Sequence, residues 1–485
     1  MNKKIILGIA IATALFSSSC KKYLDVNDNP NVARNPDVSQ VLPTTEINLA
    51  SMMGVDMQIN GSIWGQFWTQ APLASQYKIL EQYSTPASYY DNVWTLFYSS
   101  ALKNLKYVEQ TATTKNFRQY TAISKLLQAY GFQVVTDAWG DVPYSEAGKG
   151  DVADGGILNP KYDAQSVIYD GLIKMVDSAI ALIDPSDPNP PAGDDLIYGG
   201  DMELWMKFAN TLKLKLYMRL SEVNPSKAQT GIAAMSQDPT EYIGAGEDAM
   251  INFSSTPGNQ NPLYSEEVGL GKTQNLVASK TVVDSMNANG DARASALFST
   301  VNGVVVGVQQ GNYNTQVSAS NPSALVGAFA NDANSALAPV KFITSYESLM
   351  LLSEASARGW MAGDAQSLFE AAINANFVAY GLDPTDAAAY IAGSNWGKYP
   401  TAGSTQDKIK YIITQKWFCM TGNQGFEAWT EWRRTGYPDF FTYSVNSLIG
   451  NKFPQRFLYP AGELTRNLNF PGQKQLTDKV WWDIH

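Results

Sequence analysis

The sequence predicts a mainly α-helical chain whose helices come in neighbouring pairs, interrupted by one irregular, loop-rich stretch. Three observations carry this expectation. Apolar residues recur at steps of three and four over many turns, the spacing of one helix face. The periodic segments follow one another closely, as stacked helix pairs do. Residues 223–340 break the pattern, with Gly, Asn, Ser and Ala replacing periodic apolar positions.

At the N-terminus Lys3 and Lys4 precede an uncharged run from Ile5 to Phe16, then Ser17, Ser18, Ser19 and Cys20. A positive start, a short apolar run and small residues make a secretory signal. The run is about half of the roughly 20 residues that span a bilayer, so it is not a transmembrane helix. Small residues directly before a cysteine resemble a lipobox, so residues 1–19 are expected to be cleaved and Cys20 acylated. Residues 20–36 are polar and turn-rich, with Pro30 and Pro36, and read as the lipidated cysteine and its tether. Extended, the tether reaches on the order of 50 Å at about 3.3 Å per residue. Residues 37–485 are expected to form one helical domain containing the irregular insert at about 223–340.

Within it, Trp94, Phe97, Tyr98, Ala101, Leu105 and Val108 mark the first stripe, and Tyr169, Leu172, Ile173, Val176, Ile180 and Ile183 another, ended by Pro185. The paired segments are 91–110 with 118–137, 166–183 with 202–221, 341–361 with 364–380, and 405–421 with 424–434. They suggest a tetratricopeptide-like scaffold, although the consensus repeat is not matched and the spacing is irregular. The insert, with short apolar runs such as Val304–Val308, is expected to hold a few short helices, one near 278–287, and a β-hairpin.

Composition excludes several function classes. Loss of the signal moves the formal charge from −10 to about −12, and without a basic cluster nucleic acid is not expected as a partner. His485 is the single histidine, which removes Ser-His-Asp triads within the chain and multi-His zinc sites. Cys419, in an apolar stretch, reads as a buried structural thiol. Carboxylate-only chemistry survives. Asp137 and Asp141 bracket Trp139, but Gly140 and Pro143 make this a helix end and turn, with both carboxylates expected on backbone donors. Glu427 and Glu431 share a helix face near Arg433 and Arg434, and Glu354 precedes Arg358 by four, so ion pairing is the expected role.

Residues 64–90 are dense in aromatics, with Gln66, Gln70, Gln76 and Gln82 interleaved. Flat rings meet sugar C–H groups and amides bond hydroxyls, the mixture a ligand site needs. Trp64, Phe67 and Trp68 also have helical spacing, which assigns part of the set to the core.

Several stretches together resemble the SusD/RagB family of nutrient-binding outer-membrane lipoproteins of Bacteroidetes. They are D-A-W-G-D-V-P-Y-S-E-A from Asp137, P-K-Y-D-A-Q-S-V-I-Y-D from Pro160 and D-M-E-L-W-M-K-F-A-N-T-L-K-L-K-L-Y-M-R-L-S from Asp201. F-I-T-S-Y-E-S-L-M-L-L-S-E-A-S-A-R-G-W from Phe342, F-E-A-W-T-E-W-R-R-T-G-Y-P-D-F from Phe426 and V-W-W-D from Val480 complete the set. Their order and spacing carry the resemblance. It implies four tetratricopeptide-like helix pairs with a less regular half and a few short strands packed against them. It further implies a non-catalytic lipoprotein that captures oligosaccharides or peptides for a SusC-like, TonB-dependent barrel.

The resemblance also implies a binding face made of loops just before Asp91 and loops of the insert. Composition and position then select Trp68, Gln76, Tyr77, Tyr83, Tyr264, Asn312, Tyr313, Trp396 and Tyr399. No cofactor is expected. Structural calcium, which some relatives bind, would have Asp151, Asp154, Asp194 and Asp195 as carboxylates, but neither segment matches an EF-hand loop and solvated turns are expected. The competing reading is a surface-anchored glycoside hydrolase working through carboxylates. The expected location is the outer membrane, lipid-anchored and facing outward, although Lys21 and Lys22 directly follow Cys20 where related surface lipoproteins often carry acidic residues. Protease treatment of intact cells is expected to degrade the protein, whereas complete protection would place it inside.

Overall fold

The computed structural model describes residues 35–151, 155–271 and 275–485. The signal, Cys20 and nearly all of the tether lie outside the described residues. The chain divides into residues 1–37 and a unit from Val38 to His485, and the following concerns the second.

Beside short helices at Lys78–Glu81, Pro262–Glu267, Arg293–Leu297 and Ala461–Arg466, it has α1 (Val38–Met52), α2 (Gln58–Trp64), α3 (Asp91–Thr95), α4 (Lys103–Thr114), α5 (Arg118–Trp139), α6 (Gln165–Ile180) and α7 (Met202–Arg219). Then come α8 (Pro225–Ala233), α9 (Lys280–Ala288), α10 (Ser345–Ala357), α11 (Ala365–Ala379), α12 (Pro384–Gly393), α13 (Thr405–Met420) and α14 (Gly425–Thr435). Helices α4 and α5, α6 and α7, α10 and α11, and α13 and α14 pack as pairs, as the periodicity predicts. The turns Met53–Met57 and Leu96–Leu102 are π-helical, so α1 runs into α2 and α3 into α4 without a loop.

The departures have local causes. Residues 341–343 were expected in a helix but belong to a strand, because Thr344 caps α10 by accepting the Glu347 N–H at 3.2 Å. Helix α1 was not expected; Pro43 sits inside it and masks the signal. In the insert, Val301 and Val304 exchange backbone hydrogen bonds at 2.7 and 3.2 Å as an isolated antiparallel bridge around a tight turn. Among the described residues its strands pair outward: β5 (Leu276–Ala278) with β1 (Trp68–Gln70), and β4 (Ala249–Ile251) with β6 (Val340–Ile343). A further small ladder joins β2 (Val142–Pro143) to β3 (Tyr162–Asp163).

The core is aromatic near the C-terminus. Phe457 lies 4.4 Å from Tyr90, 5.4 Å from Trp139, 5.5 Å from Trp64 and 5.7 Å from Trp429, measured between ring centroids. Helix α2 approaches α14 so closely that a Cβ on Gly61 would lie 2.0 Å from the Phe426 nitrogen.

Beside this core lies a buried ion-pair network that draws on all four helix pairs. Lys215 of α7 bridges Glu347 of α10 at 2.9 Å and Glu427 of α14 at 3.0 Å. Arg219 of α7 joins Asp137 of α5 at 3.2 Å, Glu427 at 2.5 Å, and Glu431. Arg434 binds Glu354 at 2.7 Å and Glu431 at 2.6 Å, while Lys416 of α13 reaches Glu431 at 3.2 Å. Burial by itself would raise the Glu431 carboxyl; Arg434, Lys416 and Arg219 hold it well below its ordinary range.

Asp137 was expected on backbone donors of a turn. Instead it accepts from the Tyr169 hydroxyl at 2.5 Å, the Trp482 indole at 2.8 Å, Gln133 and Arg219. Asp141 accepts the backbone N–H of Gln165 at 2.8 Å and so sets the start of α6. Cys419 is fully buried, which pushes its thiol up to about 11. Removing one partner of a buried ion pair strands the other and costs about 3–5 kcal/mol. Arg434→Ala, which takes one cation from each of two buried carboxylates and leaves Glu431 with Lys416 and Arg219 and Glu354 with Arg358, is expected to lower stability by about 3 kcal/mol, the lower end of that range, in urea unfolding at neutral pH.

Candidate ligand-binding face

Three loops meet on one side of the domain: residues 66–83, residues 309–317 of the insert, and residues 437–453 after α14. Buried amides hold them together. Gln66, left-handed at φ 60, donates to the Thr442 carbonyl at 2.7 Å and accepts from the Thr281 hydroxyl at 2.6 Å. Gln70 accepts the Tyr77 N–H at 2.5 Å and donates to the Asn275 carbonyl at 3.2 Å. The Val445 N–H donates to the Gln310 backbone carbonyl at 3.0 Å, the Asn446 amide to the Gly311 carbonyl at 2.6 Å, and the Leu448 N–H to the Gln82 backbone carbonyl at 2.9 Å, while the Gln310 side chain donates to the Ile63 carbonyl at 2.9 Å. The interleaved glutamines at 66 and 70 therefore fix the loops, and Gln76 is the exposed one.

Glu81 lies fully buried beneath this junction. It accepts from the Thr69 hydroxyl at 2.6 Å and the Gln70 N–H at 3.1 Å, with no cation beside it among the described residues. Burial raises its carboxyl to about 7, only partly opposed by the bonds from Thr69, Gln70 and Gly311. Tyr77 is also buried, its hydroxyl donating to Glu267, and desolvation raises that phenol well above its usual range.

The residues selected from sequence divide by accessibility. Trp68, Tyr77, Tyr83, Tyr313 and Tyr399 are buried, so their rings belong to packing in this conformation. Gln76 is exposed, and Tyr264, Asn312 and Trp396 are half-buried. Gln76, Tyr77, Asn312 and Tyr313 are brought together: Leu73 donates to the Tyr313 carbonyl at 2.9 Å, and the Lys78 ammonium stands 5.0 Å from the Tyr313 ring. Tyr264 joins them through Glu267 of its own short helix, Pro262–Glu267. Tyr399 lies apart, packed 5.5 Å from Phe369.

The loop at 437–453 supplies what the sequence reading missed. Trp396 stands 4.9 Å from Tyr411 and 6.1 Å from Phe440. Phe440 and Phe441 flank the buried Trp417 at 5.5 and 5.8 Å. Phe441 stacks on Trp432 at 5.3 Å, Phe453 abuts Trp432 at 5.0 Å, and Tyr443 stacks on Phe453 at 4.5 Å. All but Trp417 are half-buried or exposed, which makes a strip of open aromatic surface. Lys410, paired with Asp439 at 2.5 Å, and Gln406, bonded to the Tyr437 hydroxyl at 3.1 Å, give it polar edges. The signal was the aromatic density of Y-P-D-F-F-T-Y from Tyr437, read only as part of a longer motif.

Elsewhere, a 700 Å³ cleft beside α11 has walls of Ala371, Ala375, Val378 and Ala379 and lacks such a row of rings. Among the described residues no cluster of His, Cys, Asp or Glu is placed to hold a metal. Of the calcium candidates, Asp154 lies outside the described residues. Asp195, expected in a solvated turn, is buried and accepts from the Trp205 indole at 2.7 Å and the Gly200 N–H at 2.9 Å.

Among known proteins, the family profile described as "Starch-binding associating with outer membrane", SusD-like, matches residues 30–460. A solved chitin-binding protein is 25% identical, with 93% of this chain and 100% of that one covered and a TM-score of 0.77. A SusD homologue from Bacteroides uniformis is 23% identical, with 92% and 99% covered and a TM-score of 0.77. A chitin-binding SusD homologue from Flavobacterium johnsoniae is 22% identical, with 92% and 98% covered and a TM-score of 0.76. No curated protein matches the chain.

A carboxyl whose pKa is raised by folding favours the folded state below its unfolded value and loses that contribution as pH rises through the folded value. Glu81 therefore weakens the fold as pH rises from about 4.5 to about 7. Thermal unfolding across this window is expected to show Glu81→Gln gaining on the wild type as pH increases.

Proposed function

Because the chain belongs to the SusD-like family, we propose that it is a non-catalytic, carbohydrate-binding protein of the outer membrane. It captures oligosaccharides on the strip running from Trp396 to Tyr443 and passes them to a SusC-like, TonB-dependent barrel. Lipid on Cys20 anchors it, with the binding face turned outward. The observation that carries the reading is the row of open rings with polar edges. Ring faces match the C–H faces of pyranoses, while amide, ammonium and carboxylate groups bond hydroxyls. Gln76, Asn312 and Tyr264 extend the face on the side of the insert. Chitin-type and starch-type glycans are the first ligands to test, given the relatives' descriptions.

A binding role, in preference to a hydrolytic one, is supported by the surroundings of Glu427 and Glu431. Their side chains are 6% and 5% exposed and already bound to Arg219 and other cations. A general acid or base must reach the proton it transfers, and these groups are enclosed.

Titration by tryptophan fluorescence with chito- and malto-oligosaccharides tests the reading. Trp396→Ala and Tyr443→Ala are each expected to weaken binding about 3- to 10-fold, the range of one aromatic contact. Unchanged affinity in both variants, or steady release of new reducing ends by the purified protein, would falsify it.

A further inference from the structure

We infer that the chain has a second, separate ligand site: a small pocket between α3 and the C-terminal segment that takes one neutral hydroxylated unit, such as a single pyranose. The pocket has a volume of 310 Å³, at the lower end for small-molecule sites and suited to one ring in place of a polymer. Several of its polar groups bond to no other described residue and face the open pocket.

Trp94 shows this most clearly. Trp64, Trp139, Trp205, Trp417, Trp429 and Trp482 each donate the indole N–H to a carbonyl or carboxylate, whereas the buried Trp68 indole has no partner among the described residues. Trp94 is only 9% exposed and forms part of the pocket wall, yet its indole N–H has no partner among the described residues. The hydroxyls of Thr95 and Ser99 and the guanidinium of Arg466, which also line the pocket, likewise bond to no described residue. These groups reach solvent in the open pocket, so a ligand's hydroxyls would take the place of water there.

Two carboxylates are held ready on the opposite sense. Asp91 accepts the Ala461 N–H at 2.9 Å through one oxygen. Glu463 accepts from the Tyr162 hydroxyl at 2.6 Å and from Asn467 at 3.2 Å through one oxygen. In each the second oxygen remains to accept from a hydroxyl. Tyr98, packed 4.6 Å from Trp94, and Pro143 and Pro460 supply the apolar walls. Acceptors, donors and hydroxyls around an apolar slot match a pyranose, whose rim carries hydroxyls and whose faces carry C–H groups.

Gly462 provides a clean obstruction. A Cβ there meets nothing within 4 Å, so Gly462→Leu projects into the pocket without displacing a neighbour. Saturation-transfer NMR on the full protein with free glucose and N-acetylglucosamine is the test. Wild type and Trp396→Ala are expected to bind at least one of the sugars saturably. Gly462→Leu and Arg466→Ala are expected to bind it at least 10-fold more weakly with an unchanged Tm. The site is refuted by the absence of saturable binding of either sugar at about 20 mM, or by binding that Trp396→Ala removes and Gly462→Leu leaves intact. The second result leaves the aromatic strip standing, and normal oligosaccharide binding by Gly462→Leu keeps the two sites distinguishable.

Discussion

The buried charges gathered around Glu427 and Glu431 are the constraint on which the architecture depends. Lys215 and Arg219 come from the second helix pair, Asp137 from the first, Glu347 and Glu354 from the third, and Lys416 and Arg434 from the fourth. Each carboxylate is too deeply buried to remain charged unless its cations arrive with it. The pairs can therefore close on one another in only one register. Hydrophobic burial supplies most of the free energy of folding, but apolar contacts tolerate sliding, whereas bidentate guanidinium contacts do not. The network thus acts mainly on specificity, and in net stability it is worth far less than its number of contacts suggests.

With the scaffold set, the loops are organised by a different device. Beneath the ligand face the buried groups are neutral amides, hydroxyls and a carboxyl without a cation, and they bond chiefly to backbone. Backbone-directed bonds shape irregular loops, whose own N–H and C=O groups lack helical or sheet partners. Gln66, Gln70 and Gln310 do in the loops what Arg219 and Arg434 do between helices. The rings of the strip lie beyond this layer, packed on each other and on Trp417, so they are positioned without being enclosed. The smaller pocket differs again: Asp91 and Glu463 are each held through one oxygen, and the Trp94 indole faces the opening without a protein partner among the described residues.

Periodicity alone made the helix pairs legible, because an amphipathic helix repeats its signal every turn. Where a strand or cap displaced that signal, as at Val340–Ile343, or a proline concealed it, as at Pro43, the reading failed locally. The candidate face was only partly legible. The aromatic-rich segment 64–90 lies where loops meet, with Trp68, Tyr77 and Tyr83 buried beneath them. The open rings at 437–453 lay inside a motif whose helical half is structural, and the two roles cannot be separated from spacing.

By itself, then, the sequence determined the class of fold, the pairing of successive helices, the restriction of histidine to the terminal residue, and a family resemblance later borne out over residues 30–460. Which aromatic faces the core and which faces solvent was decided only in three dimensions. So were the outward pairing of β5 with β1 and the meeting of Asp137 with Arg219 and Trp482. The reason is physical. Helical periodicity is a local property of neighbouring residues, whereas burial and ion pairing depend on partners tens or hundreds of residues away, which only the closed chain brings together.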